Sequence, residues 1–199
     1  MQNTKTKILA ATMLLSAIFT GAAEAARGDH MDVRGRTSQP IGHALFCQNM
    51  PEECAVRTSK TEAPKLTRKR WQDIIDINAH VNRTVNAVTD QDLYGVEEHW
   101  TYPRQNGDCE DFALLKRYML MQRGWPASSL LITVVLQPNG EGHAVLTVRT
   151  DRADYVLDNL ESQVKPWSAT SYKFLKRQAE NHSGRWLKIS DRRREVARF

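Results

Sequence analysis

Beyond its first 25 residues, the 199-residue chain has no long apolar run, no internal repeat and no low-complexity tract. A membrane span needs about 20 apolar residues, so no stable span is expected once that leading segment is removed. The lack of repeats excludes a solenoid or a linker array. Charge of one sign is also scarce. The formal net charge is +5, and it falls to +4 without Lys5, Lys7 and Glu24. The basic excess is not concentrated in the middle of the chain. Arg192-Arg193-Arg194 is a local cluster and reads as a solvated basic tail, so no nucleic-acid partner is expected. Cysteine is rare, with three in all.

The leading segment has the pattern of a secretory signal peptide over 1–25. Lys5 and Lys7 form a basic start, Ile8 to Ala22 is uncharged, and Ala23-Glu24-Ala25 offers an A-x-A cleavage site. A periplasmic or secreted protein follows. Export gives the cysteines a meaning. Cys47 and Cys54 are seven apart, and an oxidising compartment can join them. Cys109 is then left over, a liability unless it is buried or used.

Three regions follow along the chain. Residues 26–66 are polar, with Gly, Pro and Thr scattered through them, and read as an irregular N-terminal arm pinned by the Cys47–Cys54 loop. Residues 67–199 are long enough for one domain with a real core. Within it, Trp71, Ile74, Ile75, Asn78, Val81, Val85 and Val88 recur at three- and four-residue steps, which predicts a helix over Thr67 to Val88 with Thr67 as its N-cap. Residues 89–107 form a long connection whose Trp100 and Tyr102 are either candidate cleft residues or plugs of the core. A second helix is expected from Cys109 to Arg123. Asp108 stands as its cap, Glu110 and Asp111 suit its positive end, and Gly124 and Pro126 end it. Leu130 to Leu136, His143 to Val148 and Tyr155 to Leu160 read as strands, with Trp186 to Ile189 as a further one. Their short links require antiparallel neighbours.

The chemistry gathers where a loop becomes the second helix. A helix N-terminus favours a thiolate, an imidazole can take its proton, and a carboxylate can hold the imidazole's tautomer. Cys109 lies at that helix start, His143 on one strand and Asp158 on the next. A symmetric hairpin around the 151–154 turn opposes Asp158 to Thr147 rather than to His143. A bulge, a twist or a different turn centre must therefore bring the two together.

Gly107-Asp108-Cys109-Glu110-Asp111-Phe112-Ala113-Leu114-Leu115-Lys116, then Gly142-His143-Ala144-Val145-Leu146, then Val156-Leu157-Asp158-Asn159 resemble the bacterial transglutaminase-like cysteine proteinases. That group includes the periplasmic LapG-type adhesin proteases. The resemblance covers roughly 68–190, and the three blocks in this order are more specific than any one of them. It departs at Asn106, where many members have a second glycine. It implies an α+β, papain-like or transglutaminase-like fold, with the nucleophile at a helix N-terminus packed on an antiparallel sheet. It also implies Cys109 as nucleophile, His143 as base and Asp158 as orienting residue of a thiol protease. The implied substrate is a protein such as a surface adhesin, with a regulatory protein partner also open.

Asp108, Glu110 and Asp111 pose a difficulty, because nearby negative charge opposes thiol ionisation. The helix dipole offsets only about 0.3–1 kcal/mol when exposed. A bound Ca²⁺ suits hard oxygen ligands and offsets that charge. In the resembling proteases, acidic residues beside the cysteine hold calcium, which implies metal ligands at Asp108, Glu110 and, less directly, Asp111. Helix capping is the other reading of these acids. Two other functions stay open: amide acyl transfer on the same three residues, and a catalytically silent, calcium-responsive binding module.

Overall fold

The computed structural model describes residues 30–193. The signal peptide expected over 1–25 and the last arginine of the basic cluster, Arg194, lie outside the described residues. The architecture is α+β. Strand β1 (Val33–Thr37) is followed by helices α1 (Ile41–Asn49), α2 (Pro51–Cys54) and α3 (Arg68–Thr84). Next come β2 (Asn86–Ala87), α4 (Asp90–Tyr94), β3 (Asn106–Gly107) and α5 (Cys109–Gln122). The chain then runs through β4 (Leu130–Leu136), β5 (Gly142–Arg149), β6 (Asp154–Leu157), β7 (Lys165–Pro166), β8 (Lys173–Ala179) and β9 (His182–Ile189). Seven strands form one sheet in the order β1-β9-β8-β4-β5-β6-β7, and the pairings are antiparallel. Among the described residues no helix is long and apolar enough to cross a membrane.

Helix α3 ends at Thr84, short of the Val88 that the spacing predicts, because Val85 turns extended at the C-cap and Asn86–Ala87 pair with Asn106–Gly107. Thr67 caps α3 by accepting from the Arg70 N–H. Ile74, Ile77 and Val81 are buried in the main core with Phe112, Leu114 and Leu120 of α5 and Leu146 and Val148 of β5. Each such aliphatic side chain contributes about 1.5–3 kcal/mol by leaving water. Helix α5 thus lies between α3 and the sheet, which fixes its N-terminus against β5. A second, smaller core holds Val135, Val145, Val156, Trp167, Tyr172 and Phe174.

The segment read as an irregular arm is more ordered than its composition suggests. It supplies edge strand β1, paired with β9, and helices α1 and α2. Cys47 and Cys54 are joined, tying α1 to α2. Peptide mapping of the mature protein without reductant is expected to find this pair linked and Cys109 free. A bond from either to Cys109 contradicts the arrangement.

Arg193 is no solvated tail residue. Its guanidinium lies 4.4 Å from the centre of the Trp167 ring, and it pairs with Asp191 at 2.7 Å.

The β5–β6 register brings the expected strand residues together. Thr147 pairs with Val156 and Leu146 with Leu157, two residues away from the symmetric register. Strand β6 ends at Leu157 and not at the expected Leu160, so Asp158 lies one residue past the ladder; continued one step, the register sets it beside Val145. His143 is then its diagonal neighbour on the same face, within reach of a long side chain. No bulge is needed.

Candidate active site

The thiol of Cys109 begins α5 and is half-buried. Its Sγ accepts from the backbone N–H of Ala144 at 3.3 Å and donates to Oε2 of Glu110 at 3.2 Å. The contact with Ala144 holds the sulfur against β5, one residue from His143. His143 itself is not hydrogen-bonded to the thiol. Its Nε2 pairs with Oδ1 of Asp158 at 2.8 Å, and both side chains are almost fully enclosed. With Nε2 so engaged, Nδ1 is the ring nitrogen left to accept a proton.

Asp158 is well anchored. Oδ1 also accepts from the Leu160 N–H at 3.0 Å, and Oδ2 accepts from the Tyr172 hydroxyl at 2.5 Å. Asn82 of α3 donates to its backbone carbonyl at 2.7 Å. Burial pushes its carboxyl up, but the hydrogen bond and charge of His143, with Tyr172 and the Leu160 N–H, outweigh that and hold it below the ordinary carboxylate value. The sequence gives no sign of Tyr172, which lies beyond any local motif.

The acids around the thiol form a distinct group. Ligand oxygens of Asp90, Asp108 and Glu110 lie within 4.8 Å of one another. Asp108 stands at the N-cap, but its side chain makes no capping hydrogen bond. Its Oδ2 accepts instead from the Asp90 N–H at 3.3 Å. The capping role expected of it is therefore not the one it plays. Asp90 is 1% exposed, and its Oδ2 accepts from the His99 N–H. The buried Oδ1 atoms of Asp90 and Asp108 have no partner. Asp111 falls outside this group. Its Oδ1 accepts from the Thr101 N–H at 2.8 Å and latches the 89–107 connection to α5. A Cβ on Gly107 would meet Asp111 Oδ2 at 2.7 Å, so glycine is needed where that connection enters the helix.

Sequence pattern did not mark Asp90. It arrives through the parallel pairing of Asn86 with Asn106 and Ala87 with Gly107, which closes the connection into a loop. The two aromatics of that loop differ in role. Trp100 is 6% exposed and meets His43 and Trp186 edge-on, so it plugs the core and does not line a cleft. Tyr102 packs on Phe46 and Tyr118 and lines a surface cleft with Thr101, Arg104 and Asn106.

So many buried oxygens shift each other's protons. Burial, then the neighbouring Asp108 carboxylate, push Glu110 up to about 9. Burial is the main cause that takes Asp111 up to about 8. Burial and then Glu110 push the Cys109 thiol well above its usual value. With these acids uncompensated, Cys109 is a thiol and not a thiolate. Oxygen-rich donors, two orphaned buried oxygens and carboxyls that resist ionisation together fit a hard divalent cation. A second cluster, His43 with Cys47 and Cys54, offers no thiolate because its sulfurs are bonded to each other.

The family described as bacterial transglutaminase-like cysteine proteinase, BTLCP, matches residues 33–194. No curated protein sequence matches the chain. Among solved structures, Legionella pneumophila LapG is similar over 75% of this chain and 81% of its own, with 25% identity and a TM-score of 0.51. Calcium-bound Legionella pneumophila LapG gives the same coverage, identity and TM-score. The EGTA-treated form is 22% identical over 78% of this chain and 81% of its own, with a TM-score of 0.51, a likeness of fold.

Proposed function

The chain belongs to the bacterial transglutaminase-like cysteine proteinases and is a cysteine peptidase, and from that premise we propose that it is an exported endopeptidase using Cys109, His143 and Asp158. The observation that carries this reading is the buried His143–Asp158 pair at 2.8 Å, one residue from the Ala144 N–H that holds the Cys109 sulfur.

Cys109 loses its proton to Nδ1 of His143 and attacks the peptide carbonyl, forming a carbon–sulfur bond. The Cys109 N–H at the helix start donates to the developing oxyanion. The imidazolium returns its proton to the leaving amine as the carbon–nitrogen bond breaks. Water then hydrolyses the acyl-enzyme, with His143 again as base. Asp158 stabilises the imidazolium and fixes the tautomer.

Asp90, Asp108 and Glu110 are the residues suited to hold Ca²⁺. The ion would supply positive charge beside the thiol, and each unit of thiol pKa lost raises the thiolate fraction about tenfold at neutral pH. Glu110 would be one of the groups holding the ion, and His143 is the base that this chain offers to the thiol proton. The calcium-bound LapG structure supports this reading. Chelation is expected to cut the cleavage rate by about tenfold or more. Ca²⁺ should restore it better than Mg²⁺, which demands a tighter octahedral site. Asp108→Asn or Glu110→Gln should mimic chelation. Full activity in chelator, with no calcium heat by calorimetry, refutes the metal assignment.

The carboxyl shifts give a stability test with a definite sign. Glu110 and Asp111 are raised, to about 9 and about 8. Between the ordinary carboxyl values and these, the folded chain binds more protons than the unfolded chain. Their contribution is complete below the ordinary values, declines as pH rises above them, and is gone above 8 to 9. In chelator, Tm should fall over that interval. Added calcium should raise Tm more at alkaline than at acidic pH, because the ligands must be deprotonated. A calcium effect equal at both ends contradicts this.

The expected signal peptide and the oxidised pair favour a periplasmic or secreted location. A surface protein, such as an adhesin, is then the accessible substrate class. N-terminal sequencing of the protein recovered from the periplasm tests export, with Ala26 the expected first residue.

A further inference from the structure

We propose that Tyr172 is a positioning residue for peptide cleavage: it fixes the Asp158 carboxylate against His143, and Arg193 clamps the loop that presents it. This rests on the assignment of Cys109, His143 and Asp158 made above.

The geometry forms a continuous chain of contacts. The carboxylate of Asp158 has two oxygens with separate duties. Oδ1 takes the imidazole N–H of His143 and the Leu160 N–H. Oδ2 takes the phenol of Tyr172 at 2.5 Å. Without that donor, Oδ2 is a buried anionic oxygen with no partner, free to turn toward His143 or away from it. The phenol is well suited to the duty. Burial and the Asp158 carboxylate raise its pKa, so it remains a donor across the working pH range. Its ring also lies 5.6 Å from the imidazole centre, inclined by 51°, and limits tilting of His143.

Tyr172 follows the 3-10 turn Trp167–Ala169 and enters β8. A loop in that place has little reason to hold a side chain precisely. Arg193 supplies one. Its Nη1 donates to the carbonyls of Trp167 and Thr170 at 2.6 and 3.2 Å. Its Nη2 donates to the carbonyl of Tyr172 itself at 2.6 Å. The guanidinium covers the Trp167 and Phe174 rings. Asp191 orients it from Nε and Nη2 at 2.8 and 2.7 Å, while accepting from the Phe174 N–H at 3.0 Å. A planar five-donor fork is what three converging carbonyls and a carboxylate require, and lysine cannot reproduce it.

The test compares Tyr172→Phe, Arg193→Lys and Asp158→Asn with the parent in calcium. Kinetics and the imidazole proton and nitrogen resonances of His143 are read together. Tyr172→Phe keeps the ring and removes one donor to an anion. It should lower kcat about tenfold with KM within about twofold. The Nε2–H resonance of His143 should broaden or shift as the tautomer is released. Arg193→Lys, with the phenol still present, should show a smaller fall in kcat and the same spectroscopic change. A purely structural Tyr172 lowers Tm and leaves kcat and the His143 resonances unchanged, and that result overturns the proposal. A raised KM with unchanged kcat overturns it as well. The Asp158→Asn arm separates the two failures. If it is crippled while Tyr172→Phe is fully active, only the Tyr172 proposal falls. If Asp158→Asn is itself fully active, the reading beneath it falls too.

Discussion

Cys109→Ala is expected to abolish cleavage and leave the fold standing. In the proposed mechanism the sulfur is the attacking atom, and nothing in the side chain of alanine replaces it. The structural cost is small for stated reasons. Cys109 is half-buried, and its sulfur has two polar contacts, with Glu110 and the Ala144 N–H. Losing the first takes one donor from Glu110, and losing the second leaves the Ala144 N–H without its sulfur acceptor. A stability change of about 1 kcal/mol or less follows. Purified variant and parent, incubated with extracted surface proteins and followed by gel and by Tm, check both halves. Retained cleavage by the variant removes Cys109 from the mechanism. A collapse of Tm makes it a packing residue.

His143→Ala is expected to be nearly as damaging. Proton transfer by a positioned base contributes roughly 10²–10⁴-fold, and Asp158 then has no imidazolium to stabilise. Asp158→Asn should cost less, since an amide oxygen still accepts from His143 although its charge is gone. The order Cys109, His143, Asp158 by severity is the specific expectation. Single-turnover rates on one cleaved protein measure it. Unchanged rates in folded His143→Ala would assign the base elsewhere. His143 also reports on the ground state. It bonds Asp158 and not the thiol, whose proton points to Glu110. This arrangement is short of a thiolate–imidazolium pair, and the proposed calcium site would favour that pair.

Much of the scaffold around these residues was legible in the sequence. Helix α3 announced itself by Ile74, Asn78 and Val81 on one face and by Thr67 at its cap. Strand β4 is an apolar, β-branched run, turn residues set it apart from β5 and β6, and α5 ends where Gly124 and Pro126 require. What was not legible has physical causes. Strand β1, with Arg34, Gly35 and Arg36, carries the charges that protect an edge strand, and such a strand reads as loop. Strand β8 hides its pattern because Arg177 is buried there, neutralised by Glu180 at 2.6 Å. Helix α1 exposes Ile41 and Leu45 while burying Gly42 and His43, the reverse of an amphipathic signal.

At the site, the three named residues lay in motifs, whereas Asp90 and Tyr172 did not. Asp90 reaches Asp108 through a loop closed by a two-residue parallel pairing. Tyr172 reaches Asp158 across the β7–β8 connection. Neither approach leaves a local spacing to read. The His143–Asp158 register is a related case. The turn residues located the hairpin, but its two-residue shift belongs to the packing of β6 against β5 and β7.

The central claim is that this chain hydrolyses peptide bonds in exported proteins through Cys109. Its most direct test is mass-spectrometric profiling of protein N-termini in periplasmic and surface fractions. Cells with the parent chain are compared with cells carrying Cys109→Ala, and isopeptide-linked peptides are scored in the same spectra. The account expects new N-termini in the parent alone, at one or a few sites, with no accompanying isopeptide links. Identical N-termini in both strains, or isopeptide links that depend on Cys109 without cut chains, would contradict it.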